Sequence, residues 1–309
     1  MDLAVIVVTW NNEAVIADAL GSLQEDLSAS SLRCEIHAVD CASADSTVDV
    51  IRRDFPAVSL TTCDENIGFG RANNLAMRSM GFQDQSSKRD LPDAVYLLNP
   101  DTVTQAGATK ALFDALFADA GAGVVGARLR FADGSFQHSA FRFPDLRQIW
   151  TELYPTPSRW IEGPFNGRYP RSSYEASEPF EADFVLGATM MLRREVVLDV
   201  GLFDEQFFIY CEEVDWQWRI RAQGWHIYCV PGARVIHHGG GSSSQARPAS
   251  LFNLWKSRLQ LYDKHYPPWK RRMARELVAH GMARRMALLP ARDSDMIDAC
   301  RQIIALARS

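Results

Sequence analysis

The sequence predicts an α/β protein with a Rossmann-like mixed sheet that is flanked by helices and followed by a helical C-terminal extension. Short apolar runs rich in β-branched residues recur along the first 130 residues. Each run is followed by a segment whose apolar residues have helical spacing, which is typical of a sheet with helical crossovers. After residue 250 only helical spacing remains.

Four strands and four helices are predicted in the first 130 residues. The strands cover 3–9, 34–39, 58–62 and 94–98. One helix begins near Val15, a second is capped by Ser46, and two more cover 68–80 and 105–117. The first strand, LAVIVVT, is apolar throughout, as expected for a strand that is buried on both faces.

The remainder of the chain is less regular. Residues 131–180 are rich in Pro, Gly, Ser and aromatic residues and predict a long excursion with short strands. Strands are predicted at 184–193 and 225–230, and a helix at 214–223. The prolines at 267 and 268 interrupt the helical C-terminus. We therefore expect one domain over 1–245, with halves 1–130 and 131–245, and an extension over 246–309.

Composition narrows the class of protein. The chain has 309 residues, 47% of them hydrophobic, and a formal net charge of −5, so it can bury a full core and is not expected to bind nucleic acid. Its six cysteines show no CxxC spacing, which favours reduced thiols in a cytosolic protein. We expect no signal peptide, because the N-terminus lacks a basic region and a cleavage site.

A basic segment at 255–289 holds nine Lys or Arg and two Asp or Glu, a local charge of +7. Apolar residues interleave with these charges: Trp255, Leu259, Tyr262, Trp269, Met273, Leu277 and Met282. One interpretation is a solvated helical face. The other is a patch that lies on a membrane surface. Both interpretations stay open at the level of the sequence.

Polar residues follow three of the predicted strands. Thr9 and Asn11 follow the first, Asp40 the second, and Asn99 and Asp101 the fourth. In open α/β sheets, ligands bind beyond the carboxyl ends of the strands. Asp40 can accept hydrogen bonds from a base or ribose, or can cap a turn. Asp101 can cap the next helix, or can hold Mg²⁺ or Mn²⁺ if substrate phosphates complete the coordination shell.

Two further segments carry candidate chemistry. In ENIGFGRANN at 65–74, Gly68 and Gly70 permit close backbone approach before a helix N-terminus, which suits an anion. The segment is neither a P-loop nor a dinucleotide fingerprint. His237 ends a strand-like stretch before a run of glycines, and imidazole suits Mn²⁺ as a supplementary ligand.

The densest acidic cluster places Glu212, Glu213 and Asp215 at the start of a predicted helix. One interpretation is that these acids complement the helix dipole. The other is a general base, since the surrounding aromatic residues predict a partly dry site that raises the pKa of a carboxyl group.

These motifs together resemble glycosyltransferase family 2, in particular its rhamnosyltransferase-like branch. The matching segments, in order, are VIVVTWNN, AVDCASAD, ENIGFGRANN, LLNPDT, the run over 187–225, and VPGARVIHHGGG, which ends at residue 241. Each motif is weak alone, and the ordered set is specific. The resemblance implies the GT-A fold and an inverting transfer from a nucleotide sugar.

The resemblance also implies site roles. Asn99-Pro-Asp101 stands where the family has its Asp-x-Asp metal motif, so metal binding would rest on Asp101, with His237 as a further ligand. Asn replaces the first Asp of that motif. Donor binding is implied for Thr9, Asn11, Asp40, Gly68, Arg71, Asn73 and Asn99.

Glu212-Glu213 stands where the family often shows Glu-Asp, and the second acid is the usual catalytic base. That position points to Glu213, with Asp215 as its rival because Glu is one methylene longer than Asp. Glu212 and Trp216 are then expected to contact the acceptor.

The implied reaction uses Mg²⁺ or Mn²⁺ and a nucleotide-sugar donor, with dTDP-L-rhamnose favoured over UDP-hexose or UDP-galactofuranose. The acceptor would be a hydroxyl of a glycan or a lipid-linked saccharide in cell-envelope polysaccharide biosynthesis. The expected location is the cytoplasm, with peripheral contact at the inner face of the membrane through 255–289.

Two other classes compete with this function. A sugar nucleotidyltransferase should carry a Gly-rich loop after the first strand, where this chain has TWNN. A non-catalytic nucleotide-sugar-binding module would not need the cluster of acids at 212–215.

Overall fold

The computed structural model describes residues 1–83, 91–239 and 247–309. Its strands are β1 (Leu3–Thr9), β2 (Cys34–Asp40), β3 (Ser59–Thr62), β4 (Ala94–Leu98), β5 (Thr102–Thr104), β6 (Ala122–Arg130), β7 (Phe136–Gln137), β8 (Ala140–Phe141), β9 (Phe180–Glu181), β10 (Phe184–Val185), β11 (Thr189–Arg193) and β12 (His226–His237). Its helices are α1 (Ile16–Ser30), α2 (Thr47–Asp54), α3 (Phe69–Ser79), α4 (Ala108–Ala118), α5 (Leu146–Leu153), α6 (Ser158–Ile161), α7 (Arg171–Glu175), α8 (Arg194–Val200), α9 (Glu212–Ala222), α10 (Arg247–His265), α11 (Pro268–Leu288) and α12 (Ser294–Arg308).

Ten strands form one mixed sheet, and its main path has the order β3-β2-β1-β4-β11-β6-β12-β5. The first four strands of that path are parallel, β11 is antiparallel to both of its neighbours, and β6 and β12 are parallel to each other. Strands β8 and β10 pair separately. The predicted α/β class with a mixed sheet flanked by helices is confirmed.

The sheet is buried on both faces. All seven residues of β1 are buried, as the apolar run predicted. One face packs against α1, α2 and α4, and the other packs against α3, α8 and α9 together with parts of 140–185. Burial on both faces fixes the register of the strands, because a slip of one residue would exchange the two faces.

Tertiary structure altered several predicted boundaries. Residues 102–104 form β5, which the sequence did not predict, so α4 begins three residues later than expected. The predicted strand over 184–193 is broken at 186–188. Strand β12 runs past Pro231 to His237, because a register shift between Val230 and Arg234 accommodates the proline. Ser46 stands at the N-cap of α2, but its side chain makes no capping bond.

The last three helices share a core with α5, which lies in the 131–245 half. Of the seven apolar residues that interleave with the basic segment, Trp255, Leu259, Tyr262 and Met282 are at most 3% exposed and fill this core. Trp269 and Met273 remain 60% and 48% exposed. The membrane-surface interpretation therefore applies only to α11, the second helix of the extension. Within the described residues, no helix is long and apolar enough to cross a bilayer.

Candidate active site

The parallel register of β1, β2 and β4 brings the predicted strand ends together. Thr9 lies opposite Asp40 and Val7 opposite Leu98, so residues 99–101 follow at the level of Thr9. The Thr9 hydroxyl donates to Asp40 Oδ2 at 2.9 Å. Ser43 donates to the same buried carboxylate through its hydroxyl at 2.5 Å and its backbone N–H at 2.9 Å. Asp40 therefore holds the loops after β1 and β2 together.

Asn11 joins the same two loops. Its backbone N–H donates to the Ser43 hydroxyl and its Oδ1 accepts from the Ala44 N–H, both at 2.8 Å. Asn11 and Ala42 have φ values of 52° and 58°, in the left-handed region that few residues other than glycine adopt. Strained backbone of this kind concentrates at functional sites, which supports a binding pocket at this pair of loops.

The start of α3 packs directly on the loop that precedes α9. Gly68 has a φ of +83°, and a Cβ there would lie 2.1 Å from the backbone oxygen of Phe208, so only glycine fits. The Phe69 N–H donates to that same oxygen at 3.2 Å. Asn73 is buried and donates to the Phe69 carbonyl at 2.9 Å, while Arg71 is exposed, with its Nε 3.8 Å from Glu205.

Asn74, which the sequence did not single out, also stabilises the contact between α3 and the loop that precedes α9. Its side-chain amide donates to the Phe203 carbonyl and to Glu205, and its Oδ1 accepts from the Phe203 N–H. The contact between the Gly-rich segment and the acidic segment is thereby fixed by both backbone and side chains.

Asp101 and His237 form a pair at the carboxyl edge of the sheet. Strand β12 places His237 opposite Thr102, and His237 Nε2 lies 3.4 Å from Asp101 Oδ1. Burial alone would raise the pKa of Asp101, but the hydrogen bond and charge of His237 outweigh it and lower that pKa. One carboxylate oxygen and one imidazole nitrogen are ligands that Mg²⁺ and Mn²⁺ accept.

The surroundings of this pair fit a metal that is shared with a substrate. No group of three His, Cys, Asp or Glu side chains suited to a metal occurs in the described part of the chain. Phosphate oxygens and water would have to supply the remaining ligands. The other ring nitrogen, His237 Nδ1, lies 3.0 Å from the Gln137 side chain. Such a partner orients a metal-binding imidazole, and no sequence pattern points to Gln137.

Glu212 and Glu213 begin α9. Glu212 is 5% exposed, and the Oε2 atom of each glutamate is buried without a hydrogen-bond partner among the described residues. Burial raises the pKa of both carboxyl groups, and the neighbouring charge of Glu213 raises that of Glu212 further. Tyr210 and Cys211, just before them, both have a φ of 66°. Two adjacent acids on strained backbone, each with a buried oxygen that has no partner among the described residues, are costly, which points to function.

The broken strand at 186–188 connects the two halves of the site. A Cβ at Gly187 would lie 3.3 Å from Glu213 Cγ, so glycine lets the glutamate lie against the backbone. The next residue, Ala188, accepts a hydrogen bond from the Asn99 N–H at 3.0 Å. The 186–188 turn therefore brings Glu213 beside the segment that carries Asp101.

Asp215 is held by three basic side chains. It is fully buried and accepts from Arg219 at 3.0 Å, His265 at 2.7 Å and Lys264 at 2.8 Å. Burial alone would raise its pKa, but His265 and Lys264 outweigh it and lower that pKa. Its carboxylate is thus committed to anchoring the end of α10 to α9. This geometry argues against Asp215 as the base.

Trp216 is 0% exposed, and its Nε1 donates to the Gly201 carbonyl at 2.8 Å. The structure places it in the core, so it has no surface to offer to an acceptor. The aromatic pattern had suggested otherwise, because a tryptophan in the core and one at a site have the same local sequence signal.

Comparison with known proteins shows which class of enzyme has this fold. The profile of the family described as glycosyltransferase like family 2 matches residues 2–260, and the chain belongs to this family. It is thus a glycosyltransferase with a GT-A fold, which excludes the two competing classes.

Two mycobacterial relatives align with this chain over most of their length. N-acetylglucosaminyl-diphospho-decaprenol L-rhamnosyltransferase of Mycobacterium tuberculosis, strains CDC 1551 and H37Rv, is 29% identical over 270 residues, which cover 87% of this chain and 86% of the relative. The O-antigen biosynthesis protein RfbC of Myxococcus xanthus is 29% identical over 120 residues, which cover 39% of this chain and 9% of the relative.

Solved structures show the same fold. GalNAc-T7 with UDP, GalNAc and Mn²⁺ superimposes with a TM-score of 0.60 at 15% identity, over 98% of this chain and 54% of that chain. The mannosyltransferase PcManGT of Pyrobaculum calidifontis with GDP-Man and Mn²⁺ has a TM-score of 0.55 at 17% identity, over 99% and 86% of the two chains.

Proposed function

We propose that this glycosyltransferase is inverting and metal-dependent, and that it transfers a sugar from a nucleoside diphosphate to a hydroxyl of a glycan or lipid-linked saccharide. The observation that carries the proposal is the carboxylate of Glu213. Its Oε2 has no partner among the described residues, burial raises its pKa, and it lies against the 186–188 turn, where the Ala188 carbonyl accepts from the Asn99 N–H. A carboxylate in such surroundings suits a general base.

The reaction is a single displacement at the anomeric carbon. Glu213 accepts the proton of the acceptor hydroxyl while the oxygen of that hydroxyl forms a bond to the anomeric carbon. The bond from the carbon to the phosphate oxygen breaks, and the electron pair leaves with the nucleoside diphosphate. Configuration inverts, because attack and departure occur on opposite sides. Burial raises the pKa of both Glu212 and Glu213, and the charge of Glu213 raises that of Glu212 further, so two negative charges on the pair at once are disfavoured.

Asp101 and His237 would hold Mg²⁺ or Mn²⁺, whose charge offsets that of the departing diphosphate. Thr9, Asn11 and Asp40 shape the nucleoside pocket, and Gly68, Arg71, Asn73 and Asn99 border the donor. For the acceptor we retain Glu212, and we remove Trp216 because it lies in the core.

The proposed donor is dTDP-L-rhamnose, supported by the L-rhamnosyltransferase relatives. The same relatives support an acceptor saccharide on a lipid diphosphate. A UDP-hexose or UDP-galactofuranose donor is the alternative, since thymine and uracil differ by one methyl group, worth about 1 kcal/mol.

Thermal unfolding with a panel of nucleotide sugars tests this function. At about one hundred times its Kd, the true donor should raise the Tm by about 3–6 °C in the presence of Mn²⁺. A transfer assay with the same donor and a lipid-diphosphate-linked N-acetylglucosamine should then yield product. Nucleoside diphosphate without the sugar serves as the control for the base. The proposal fails if no sugar nucleotide shifts the Tm or yields product.

We further propose that the protein contacts the inner face of the membrane through α11. Trp269 and Met273 line an open groove of about 640 Å³ together with Pro268, Arg272, Glu276 and Leu277. The hydroxyl of Tyr154 donates to the Leu277 carbonyl, which places α5 beside this groove. Exposed aromatic and apolar residues among arginines suit an anionic bilayer surface.

Sedimentation with vesicles checks the membrane contact. We expect binding to vesicles that contain anionic lipid at low salt, weakened severalfold when Trp269 and Met273 are both replaced by serine. Leu198→Ser is the matched control, because Leu198 is an exposed apolar residue on α8. Equal binding of both variants, or no binding by the unmodified protein, would refute the contact through α11.

A further inference from the structure

Three arginines share one face of the sheet near the active edge. Strand β12 pairs Arg234 with Arg128 and Ile236 with Arg130 of β6. The residues that alternate with them, such as Ala127 and Leu129, belong to the core against α1, α2 and α4. Arg128, Arg130 and Arg234 therefore project from the opposite face, which also carries α9. They approach the carboxyl ends of β6 and β12, where His237 ends β12.

This cluster, which we name the arginine triad, lacks a counter-charge. Within residues 1–83, 91–239 and 247–309, no carboxylate lies within 4.0 Å of any of the three guanidinium groups. Arg128 Nε is buried and has no hydrogen-bond acceptor in the part of the chain that the structure describes. Burial, and then the charges of Arg130 and Arg234, lower the pKa of Arg128, while Glu175 acts against them only at a distance.

Such an arrangement is unfavourable without a ligand. Arginine does not lose its proton in proteins, so a guanidinium that is partly buried must be balanced by an anion or pay for its desolvation. Three positive charges on adjacent strands add mutual repulsion. Planar guanidinium groups bind phosphate oxygens in pairs, and a diphosphate carries enough charge and enough acceptors to balance all three.

We propose that the arginine triad binds the diphosphate of the lipid-linked acceptor. This inference rests on the acceptor proposed above. The donor diphosphate has its own place at Asp101 and His237. The triad, by contrast, adjoins the 131–245 half, which we assign to the acceptor, since β7 pairs with β6 and the charge of Glu175 on α7 acts on Arg128. Held there, the diphosphate would anchor the acceptor while its sugar hydroxyl reaches Glu213.

Binding of inorganic pyrophosphate without metal tests the site directly. Calorimetry should show binding to the unmodified protein, weakened at least about tenfold by the double substitution Arg130→Ser and Arg234→Ser. Both residues are exposed, so folding should be preserved. Arg52→Ser, at an exposed arginine on α2, and Asp101→Ala should bind pyrophosphate like the unmodified protein. Unchanged binding by the double variant, or lost binding by Asp101→Ala, would overturn the assignment.

Steady-state kinetics separates the acceptor from the donor. The double variant should raise KM about tenfold or more for an acceptor sugar on a lipid diphosphate. KM for the donor, and the rate with the same sugar on an uncharged aglycone, should be unchanged. A raised KM for the donor would place the triad in the donor site and overturn the proposal. If the unmodified protein transfers to neither acceptor, the proposed function fails, while the pyrophosphate measurement still decides the site.

Discussion

Replacing Glu213 by glutamine should lower the rate of sugar transfer by about two to four orders of magnitude and leave donor binding intact. Glutamine preserves the shape of the side chain but cannot accept the proton of the acceptor hydroxyl. The measurement is kcat for transfer, together with the Tm shift that the donor and Mn²⁺ produce. Glu25→Gln, at an exposed glutamate on α1, is the matched control for the same chemical change.

The pH profile distinguishes a lost base from a damaged fold. Burial raises the pKa of Glu213 above its ordinary value of 4.5, and the base acts only when it is ionised. The rate should therefore fall as pH drops through this raised pKa, on the acidic side of the profile. In Glu213→Gln the residual rate should lose that dependence. Retained activity with an unchanged acidic limb would mean that another group accepts the proton.

The substitution Asp215→Asn tests whether Asp215, two residues after Glu213, anchors α10 to α9 or acts as the base. Asp215 contacts Arg219, Lys264 and His265, so its neutralisation removes the anion that these basic side chains share, while Lys264 keeps its contact with Asp204. Breaking a buried network of this kind costs about 3–5 kcal/mol of unfolding free energy. We expect a lower Tm and intact acid-limb behaviour in the folded fraction. Normal stability with abolished transfer would return the role of base to Asp215.

The parallel part of the sheet was predictable because its pattern is local. A strand that is buried on both faces needs an apolar run, and its end is marked where polar residues begin, as at Thr9 and Asp40. Strand β5 was missed because three residues after Asp101 carry no such pattern, and only β12 makes them a strand. The strand predicted over 225–230 continues to His237, because pairing with β6 outweighs the disruption that Pro231 causes.

The site was partly predictable for a related reason. Polar residues at strand ends, a Gly-rich segment and an acidic cluster are visible in the sequence, and these features made Asp101, Gly68 and Glu213 candidates. Contacts across the chain are not. Gly187 and His265 looked like ordinary residues, yet one lies against Glu213 and the other binds Asp215. For the same reason the local sequence does not distinguish the acids at 212–215 from one another. Only the contacts in the structure separate Glu213, whose Oε2 has no partner among the described residues, from Asp215, which is held by basic side chains.

Strain and unpaired charge, by contrast, appear only in three dimensions. Cys211 and Tyr210 adopt left-handed backbone immediately before two glutamates whose burial is unfavourable. The structure that stabilises this arrangement includes the extension, since the Ser257 hydroxyl of α10 donates to the Ile209 carbonyl at 2.7 Å. The C-terminal helices are therefore part of the support of the active site, which composition alone could not show.

Replacing Asp101 by alanine should remove the metal dependence of both donor binding and transfer. Asp101 offers the carboxylate of the proposed metal site, and the loss of metal stabilisation, about 4 kcal/mol, corresponds to about a thousandfold in rate. The Tm shift that the donor and Mn²⁺ produce together should fall to that of the donor alone. His237→Ala should lower the metal dependence of donor binding and transfer as well, but by less, because imidazole is the supplementary ligand.

The matched control is Asp18→Ala, at an exposed aspartate on α1. Chelation with EDTA should slow the unmodified protein and this control equally, and should leave Asp101→Ala unchanged because no metal effect remains to be lost. If chelation leaves transfer by the unmodified protein unchanged, the reaction does not depend on a divalent metal. The lowered pKa of Asp101 would then reflect only its hydrogen bond and ion pair with His237, outweighing burial, and the charge of the departing diphosphate would have to be balanced by side chains of the donor pocket such as Arg71.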